Sequence, residues 1–286
     1  MTEQSSGPPL RLRAALFVPA VRTDFIAKLP ERGADAAIID CEDATPMNAK
    51  DEGRSNAREL APQIASDDLD VFVRVNAQTT EWFADDIAEG LAPELTGILL
   101  PMVETVDAVD EAVAALAAAG LGHLAIVAGL ETALGVADAR HLLSRPGVSA
   151  AYFGAEDYVA DLGGMRTESN DEVLMARQQV VQAGRIAGVQ VLDQVVTNFR
   201  DDARFEREAT EARSFGFDGK LCIHPNQVPL AMAAFTPSAE DVGHAQRLLA
   251  AYADATANGL AAIDFEGQMV DEPVAAQARR VLALAD

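Results

Sequence analysis

The chain has 286 residues, of which 49% are hydrophobic, and its formal net charge is −23 at neutral pH. This length suits one α/β barrel with a short appendage, and no apolar run reaches the roughly 18 residues that a membrane span requires. Such an acidic chain argues against nucleic acid as a partner, because binding to phosphates requires a basic face. An anionic ligand would therefore need a local basic patch.

The N-terminus and the cysteines indicate the cellular compartment of the protein. Residues 1–9 are polar and lack the basic and apolar segments of a signal peptide, so we expect a frayed tail. Cys41 and Cys222 are too few for a disulfide framework in a chain of this length. We expect both to be buried free thiols, which suits a cytoplasmic location.

Short apolar, β-branched segments alternate with longer alanine-rich amphipathic stretches through most of the chain. Alternating strands and helices predict a parallel sheet, and eight such units at this length indicate a closed (β/α)8 TIM barrel. The stretches between strands have helical periodicity, as at 106–119 and 173–186. The predicted strands, in chain order, are 14–18, 36–40, 71–75, 97–101, 124–128, 150–153, 189–192 and 220–223.

The C-terminal part of the chain has a different pattern. A helical pattern covers 240–257, and a short polar connection covers 267–271. A final helix begins at Pro273, because proline suits the first turn of a helix. We therefore predict a barrel domain over residues 1–236 and a C-terminal helical extension over residues 237–286.

Polar residues follow several predicted strands, at the end where active sites of such barrels lie. Carboxylates that converge on one rim repel each other, and a hard divalent cation such as Mg²⁺ relieves that repulsion. Glu131 and Asp157 follow consecutive strands and can meet at one ion. The four histidines are scattered, which argues against zinc. The candidate rim residues are Asp40, Glu42, Asp43, Arg74, Asn76, Glu104, Glu131, Glu156, Asp157 and Asp193.

Arg74 is the most informative single residue, because it lies inside a predicted strand between Val73 and Val75. A buried arginine is costly without an anionic partner, and its planar fork fits a carboxylate. We therefore predict that Arg74 recognises a carboxylate of the substrate. Taken alone, Glu104 and Asp193 fit helix caps or solvated loop positions better than functional ones.

Seven segments match a known family, in order, along nearly the whole chain. They are L-F-V-P at 16–19, I-D-C-E-D-A at 39–44, V-R-V-N at 73–76, E-T-A-L-G at 131–135, F-G-A-E-D-Y-V-A-D-L-G at 153–163, G-F-D-G-K-L-C-I-H-P-N-Q at 216–227 and G-Q-M-V-D-E-P at 267–273. The chain thereby resembles the citrate lyase beta-subunit-like proteins, which include malyl-CoA and citramalyl-CoA lyases. The resemblance implies a Mg²⁺-dependent barrel enzyme.

The resemblance also implies roles for the rim residues. Glu131 and Asp157 look like the magnesium ligands, and Arg74 looks like the residue that grips the 2-oxo or 2-hydroxy acid end of the substrate. Glu42 and Asp43 resemble acids that hold metal-bound water.

Further roles concern coenzyme A and a lid. Arg22 and Lys28, after the first strand, resemble basic residues that contact the phosphates of coenzyme A and would supply the local basic patch. Pro225 and Asn226 resemble the stretch that lines the adenine and pantetheine channel. Asp271 resembles a catalytic acid/base on a C-terminal lid that acts across the subunit interface of a homotrimer.

The resemblance implies an enzyme that cleaves a 3-hydroxyacyl-CoA, such as malyl-CoA or citramalyl-CoA, into acetyl-CoA and a 2-oxo acid, or that forms it from them. Thioester hydrolysis is a related activity, if water replaces the enolate. Three alternatives stay open: a citrate lyase beta subunit that acts on citryl-acyl carrier protein, a pyruvate-type class II aldolase without coenzyme A, and a non-enzymatic binding barrel. The combination of Arg74, Glu131, Asp157 and Asp271 argues against the last.

Overall fold

The computed structural model describes residues 10–285, so the frayed tail predicted at 1–9 lies outside the described residues. Eight parallel strands close into a barrel in sequence order, and the last strand pairs with the first. The predicted (β/α)8 barrel is confirmed, and every predicted strand end lies within two residues of the observed one. The strands are β1 Ala14–Pro19, β2 Ala36–Asp40, β3 Asp70–Arg74, β4 Gly97–Leu100, β5 Ala125–Leu130, β6 Val148–Phe153, β7 Gln190–Asp193 and β8 Gly219–Cys222.

Helices connect consecutive strands, and the two helical stretches predicted at 106–119 and 173–186 correspond to α4 and α8. None of the described helices is both long and apolar enough to cross a membrane. Short 3₁₀ turns cover Leu29–Arg32, Met47–Ala49 and Asp171–Val173. The α-helices that follow the strands are α1 Thr23–Ile26, α2 Lys50–Ile64, α3 Phe83–Glu89, α4 Val106–Ala118, α5 Ala133–Ala137, α6 Ala139–Leu143, α7 Ala155–Asp161, α8 Leu174–Ala187, α9 Asp202–Phe215 and α10 Gln227–Phe235.

An apolar layer fills the barrel interior, because one buried cluster draws side chains from all eight strands. Successive residues of a strand point to opposite faces, so the residue two positions after a core residue shares its face. Asp40 follows Ile38, and Arg74 follows Phe72, in this way. The charged rim therefore lies directly beyond the apolar layer. Members of that layer include Ala15, Ile38, Phe72, Leu99, Val127, Tyr152, Leu192 and Leu221.

The two cysteines are buried free thiols, as predicted. Burial raises the pKa of the Cys222 thiol to about 12 and that of Cys41 well above its usual value. Neither side chain therefore has thiolate character near neutral pH, and both behave as small apolar core residues.

The described chain divides into two compact units, one up to Met232 and one from Ala233 on. The second unit contains helix α11 (Ala239–Ala257), a hairpin of β9 (Ile263–Phe265) and β10 (Gln268–Val270), and helix α12 (Glu272–Ala285). Its own apolar core is formed by Ala245, Leu248, Tyr252, Val270, Ala275 and Ala278.

The polar connection predicted at 267–271 is wrong in part, because residues 268–270 form strand β10. Val270 is buried in the core of the second unit and lies opposite Ile263 on the neighbouring strand. One apolar residue among polar neighbours was too weak a pattern to indicate a strand. At the other end of the unit, Ser238 and Asp241 form a capping box that starts helix α11.

Candidate active site

Asp40 and Arg74 meet at the carboxyl end of the barrel, where β2 and β3 end side by side. The Arg74 guanidinium donates from Nε to Asp40 Oδ1 at 2.8 Å and from Nη2 to Oδ2 at 2.6 Å. The Asp40 carboxylate also accepts the backbone N–H groups of Glu42 and Ala44. Burial alone would lower the pKa of Arg74, but the charge of Asp40 raises it well above its ordinary value. Arg74 is therefore a permanent cation with a fixed orientation.

A second acid, Glu42, shares the same guanidinium. Its Oε2 lies 2.9 Å from Arg74 Nη1, while the Asp43 carboxylate is more distant at 3.9 Å from Nη2. Within residues 10–285, the buried Oε2 of Glu42 makes no hydrogen bond of regular geometry. Burial raises the pKa of Glu42 to about 8, Arg74 opposes this rise, and the charge of Glu131 adds to it. Negative charge at this rim thus exceeds what one arginine balances.

Glu131 continues the interior face of β5 one residue beyond the strand, and it is buried. Burial raises the pKa of its carboxyl to about 7. The Tyr152 hydroxyl and the Arg74 charge lower this pKa, and the charge of Asp157 raises it. The carboxyl ends of β5 and β6 therefore bring two acids, Glu131 and Asp157, within each other's electrostatic reach.

Gly154 makes room for the Glu131 side chain. A Cβ atom at position 154 would lie 2.6 Å from Glu131 Cγ and 2.9 Å from its Oε1, which no real contact tolerates. The backbone of Gly154 has a negative φ that any residue adopts, so the requirement for glycine is steric. The glycine of the G-A-E-D segment thus has a specific function, which is to let Glu131 lie against β6.

Asp157 lies in the first turn of α7 and is exposed. Partial burial raises the pKa of its carboxyl, Asp43 adds to the rise and Arg74 opposes it. Helix α7 is tied to the segment after Glu131, because the Ala133 N–H donates to Asp161 Oδ2 at 2.8 Å. The loops that carry the two predicted metal ligands are therefore held to each other.

This donor set fits a hard divalent cation. Among residues 10–285, no three His, Cys, Asp or Glu side chains converge as a complete metal cage. Glu131 and Asp157 instead offer two carboxylates with raised pKa values, and Glu42 adds a buried oxygen that pairs with Arg74 without a hydrogen bond of regular geometry. Mg²⁺ typically takes one or two protein carboxylates and completes its shell with water and substrate oxygens.

The two basic residues predicted to contact coenzyme A lie on the surface after β1. Arg22 is exposed, donates to both oxygens of Asp24 at 2.9 Å, and has its Cζ 3.5 Å from the centre of the Phe25 ring. Lys28 is also exposed. An exposed ion pair of this kind contributes little to stability.

Pro225 and Asn226 lie in the loop after β8, where Pro225 is half-buried and Asn226 is exposed. The loop is anchored by the buried Gln227, whose Oε1 accepts the Ile223 N–H and whose Nε2 donates to the Val196 carbonyl. Gln227 was not predicted as an anchor, although it ends the I-H-P-N-Q motif. It connects the loops after β7 and β8.

Two further rim candidates have structural partners. Asp193 ends β7, but its side chain is on the face opposite Leu192 and lies between Arg177 Nε at 2.9 Å and Lys220 Nζ at 2.6 Å. Strand alternation therefore removes Asp193 from the barrel interior. Glu156 accepts a hydrogen bond from Arg166 at 2.9 Å.

Asn76 and Asp271 are two further predicted residues. Asn76 is buried, and its side-chain amide donates to Asp86 at 2.7 Å and to the Cys41 carbonyl at 3.1 Å. It therefore holds the segment after β2 in place and has a structural role. Asp271 belongs to the second unit, where its carboxylate accepts the Val274 N–H at 3.4 Å at the start of α12. Its role as an acid/base across a subunit interface stays a prediction.

A closed (β/α)8 barrel with this rim of acids around one arginine defines a barrel enzyme. The model of the HpcH/HpaI aldolase/citrate lyase family matches residues 13–225, and the chain belongs to this family. The predictions of the family and of a carbon–carbon lyase are confirmed at that level.

Individual relatives are similar over nearly their whole length. A citrate lyase subunit beta-like protein from Deinococcus radiodurans is 47% identical over 97% of this chain and 99% of its own. The mitochondrial citramalyl-CoA lyase of Homo sapiens is 30% identical over 96% of this chain and 85% of its own. The crystal structure of CitE from Mycobacterium tuberculosis in complex with magnesium, acetoacetate and coenzyme A has a TM-score of 0.81 and 32% identity, and covers 96% of this chain and 99% of that one.

Proposed function

We propose that this protein is a Mg²⁺-dependent lyase that cleaves or forms a 3-hydroxyacyl-CoA, such as malyl-CoA or citramalyl-CoA, with acetyl-CoA and a 2-oxo acid as the other reactants. The observation that carries the proposal is one arginine, Arg74, fixed by Asp40 at a rim that also carries Glu131 and Asp157. The CitE complex with magnesium, acetoacetate and coenzyme A and the citramalyl-CoA lyase relative support it.

Glu131 and Asp157 would hold the metal ion. When bound, Mg²⁺ acts as a Lewis acid on the oxygen of the 2-oxo or 3-hydroxy group. Glu42 and Asp43 would accept hydrogen bonds from water around the ion, and Oε2 of Glu42, which makes no hydrogen bond of regular geometry, is one such acceptor.

Arg74 would bind the carboxylate of the oxo acid through Nη1. Asp40 occupies Nε and Nη2, so it orients the guanidinium without blocking the nitrogen that faces Glu42. A substrate carboxylate at Nη1 would compete with Glu42, whose raised pKa leaves that carboxyl more often protonated and so less often an anion. The fixed positive charge then stabilises negative charge that develops on the reacting oxygen.

In the cleavage direction, the C3 hydroxyl of the 3-hydroxyacyl thioester gives its proton to water held by Glu42 and Asp43 and becomes the carbonyl oxygen of the 2-oxo acid. The C2–C3 bond breaks, and its electron pair forms the enolate of the acetyl thioester. A proton from Asp271 converts this enolate into acetyl-CoA. In the synthetic direction Asp271 removes that same proton, and the enolate carbon attacks the 2-oxo acid.

Arg22 and Lys28 would contact the phosphates of coenzyme A, and Pro225 and Asn226 would line the channel for its adenine and pantetheine. Asp271 would be delivered by a neighbouring copy in a homotrimer. The free thiols suit a reducing compartment, so the cytoplasm is the proposed location.

The direct test is release of 2-oxo acid from racemic malyl-CoA and citramalyl-CoA, with Mg²⁺ or with EDTA, read as a hydrazone and matched to acetyl-CoA by chromatography. We expect stoichiometric, Mg²⁺-dependent release of both products from at least one thioester. Free coenzyme A with the intact hydroxy acid would instead indicate thioester hydrolysis.

A second candidate is a citrate lyase beta subunit that acts on citryl-acyl carrier protein, because the Deinococcus relative carries a name of that kind at 47% identity. It predicts no turnover of any free thioester, and release of oxaloacetate from citryl-acyl carrier protein. A pyruvate-type class II aldolase would ignore both thioesters and condense pyruvate with an aldehyde, without need of Asp271.

A further inference from the structure

Tyr152 carries a polar group at the bottom of the candidate site that the proposed mechanism does not use. Its side chain faces the barrel interior from β6 and packs in the apolar layer with 1% of its surface exposed. Within residues 10–285, the buried hydroxyl makes no hydrogen bond of regular geometry. A buried hydroxyl without a partner destabilises a fold, and phenylalanine would fill the same space without that cost. The hydroxyl therefore indicates a partner.

The hydroxyl lies over the backbone of β5. Tyr152 pairs with Gly129 across the two strands, and a Cβ atom at position 129 would lie only 2.6 Å from the phenol oxygen. The glycine thus makes room for the ring to reach the strand that continues into Glu131. Glu131 lies two residues after Gly129 on the same face of that strand, which places its carboxylate beside the hydroxyl, and each of the two groups affects the other's pKa.

Glu131 is the acceptor that the geometry offers. Its carboxylate is confined on the β6 side by Gly154, which leaves no space for even one methyl group. Rotation about the terminal bond of a glutamate is soft, so a small turn of the carboxylate completes a hydrogen bond with the phenol. That bond would occupy one oxygen and direct the other away from the apolar layer, towards the side of Asp157.

We propose that Tyr152 is a positioning residue that donates a hydrogen bond to Glu131 and so orients this carboxylate for Mg²⁺. The inference rests on the proposed function, because it assigns a support to one of the proposed metal ligands. Groups that hydrogen-bond to metal ligands orient them, and their loss typically weakens metal binding by about 10–100-fold.

The test is calorimetric titration of Mg²⁺ into the metal-free full-length protein without substrate, for the wild type, Tyr152→Phe and Tyr252→Phe. Tyr252 is a buried tyrosine of the second unit and serves as the matched control for loss of a hydroxyl. We expect the Mg²⁺ dissociation constant of Tyr152→Phe to rise about 10-fold or more, and that of Tyr252→Phe to stay at the wild-type value. An unchanged constant in Tyr152→Phe would overturn the proposal.

Turnover separates positioning from a general structural effect. Saturating Mg²⁺ should restore most of the wild-type rate to Tyr152→Phe, because the variant retains both ligands. A rate that stays low at saturating Mg²⁺ would contradict a role through the metal. If the wild type turns over with Mg²⁺ and Tyr152→Phe binds Mg²⁺ equally well, this inference alone fails. If the wild type binds no Mg²⁺, the proposed function fails with it.

A double-mutant cycle tests the contact itself in metal-free protein. Tyr152→Phe and Glu131→Gln are compared singly and together by their shifts in Tm. We expect the shift of the double variant to differ from the sum of the single shifts, because residues in direct contact are coupled. Additive shifts would show that the two groups do not interact and would overturn the proposal.

Discussion

Arg74 and Asp40 form a two-pronged ion pair between adjacent strands, with nitrogen to oxygen distances of 2.8 and 2.6 Å. Nη1 of Arg74 is directed at a second acid, Glu42, at 2.9 Å, while Asp43 lies 3.9 Å from Nη2. Asp40 therefore orients the guanidinium, and Glu42 occupies the position that a substrate carboxylate would take.

Arg74→Lys should lower kcat/KM for cleavage by about 10²–10³-fold, because an ammonium keeps the charge but loses the planar fork that Asp40 holds. Arg145→Lys is the matched control, since Arg145 forms a two-pronged pair with Asp110 on the surface. That variant should retain wild-type kinetics. Equal kinetics for Arg74→Lys and the wild type would show that the Arg74 guanidinium does not recognise the substrate.

Asp157→Asn should weaken Mg²⁺ binding by about 10²-fold or more in calorimetric titration, because a neutral amide replaces one of only two proposed carboxylate ligands. Glu156→Gln provides the control from the same turn of α7, where Glu156 is paired with Arg166. It should bind Mg²⁺ like the wild type. If both variants behave alike, the assignment of Asp157 is wrong.

Gly154→Ala should weaken Mg²⁺ binding by about 10-fold or more and lower turnover, because its Cβ would displace Glu131 from a position 2.6 Å away. Gly243→Ala on α11 is the control, since its Cβ would meet only Arg247 Nη1 at 3.7 Å. That change should stabilise the protein slightly, by about 0.5–1 kcal/mol, and leave Mg²⁺ affinity unchanged. Wild-type Mg²⁺ affinity in Gly154→Ala would show that Glu131 is not the ligand that this glycine accommodates.

The stability of the metal-free protein should fall as pH rises from about 5 to about 8. Burial raises the pKa of Glu42 from 4.5 to about 8 and that of Glu131 from 4.5 to about 7. The folded protein then retains protons that the unfolded chain has released, so this stabilisation is complete below pH 4.5 and is lost as pH rises through the folded pKa values.

Thermal denaturation at several pH values, with EDTA and with Mg²⁺, measures this effect. We expect Mg²⁺ to reduce the fall in Tm at the upper end of the range, because the ion stabilises the ionised carboxylates. Glu131→Gln should flatten the metal-free profile, since one of the two groups no longer titrates. An identical dependence of Tm on pH with and without Mg²⁺ would show that the ion does not stabilise the ionised forms of these acids.

Asp271→Asn should slow deuterium exchange into acetyl-CoA by about 10²–10⁴-fold, as expected for loss of a general base, while binding of the 2-oxo acid is retained. Mixed oligomers of Asp271→Asn and Glu131→Gln subunits should regain part of the activity, because some sites then combine two intact residues from different copies. Lost binding of the 2-oxo acid in Asp271→Asn, or no recovery on mixing, would count against a lid that acts between subunits.

The sequence alone determined the barrel and most of the rim. Eight apolar segments separated by helical periods leave few arrangements other than a closed parallel sheet, and such a sheet has its polar strand ends at one rim. Arg74, Glu131 and Asp157 were therefore predictable from their position after core residues. The alternation of side chains along a strand depends only on the residues of that strand, so it can be predicted without knowing what packs against the strand.

Only the tertiary structure decided how the charged groups are paired and buried. Asp193 ends a strand like the others, yet Arg177 and Lys220 hold it on the outer face. Tyr152 belongs to the apolar layer, and only the tertiary structure brings its hydroxyl beside Glu131. Ion pairing and desolvation depend on groups that are distant along the chain, and pKa values depend on both, so no local pattern of residues contains them.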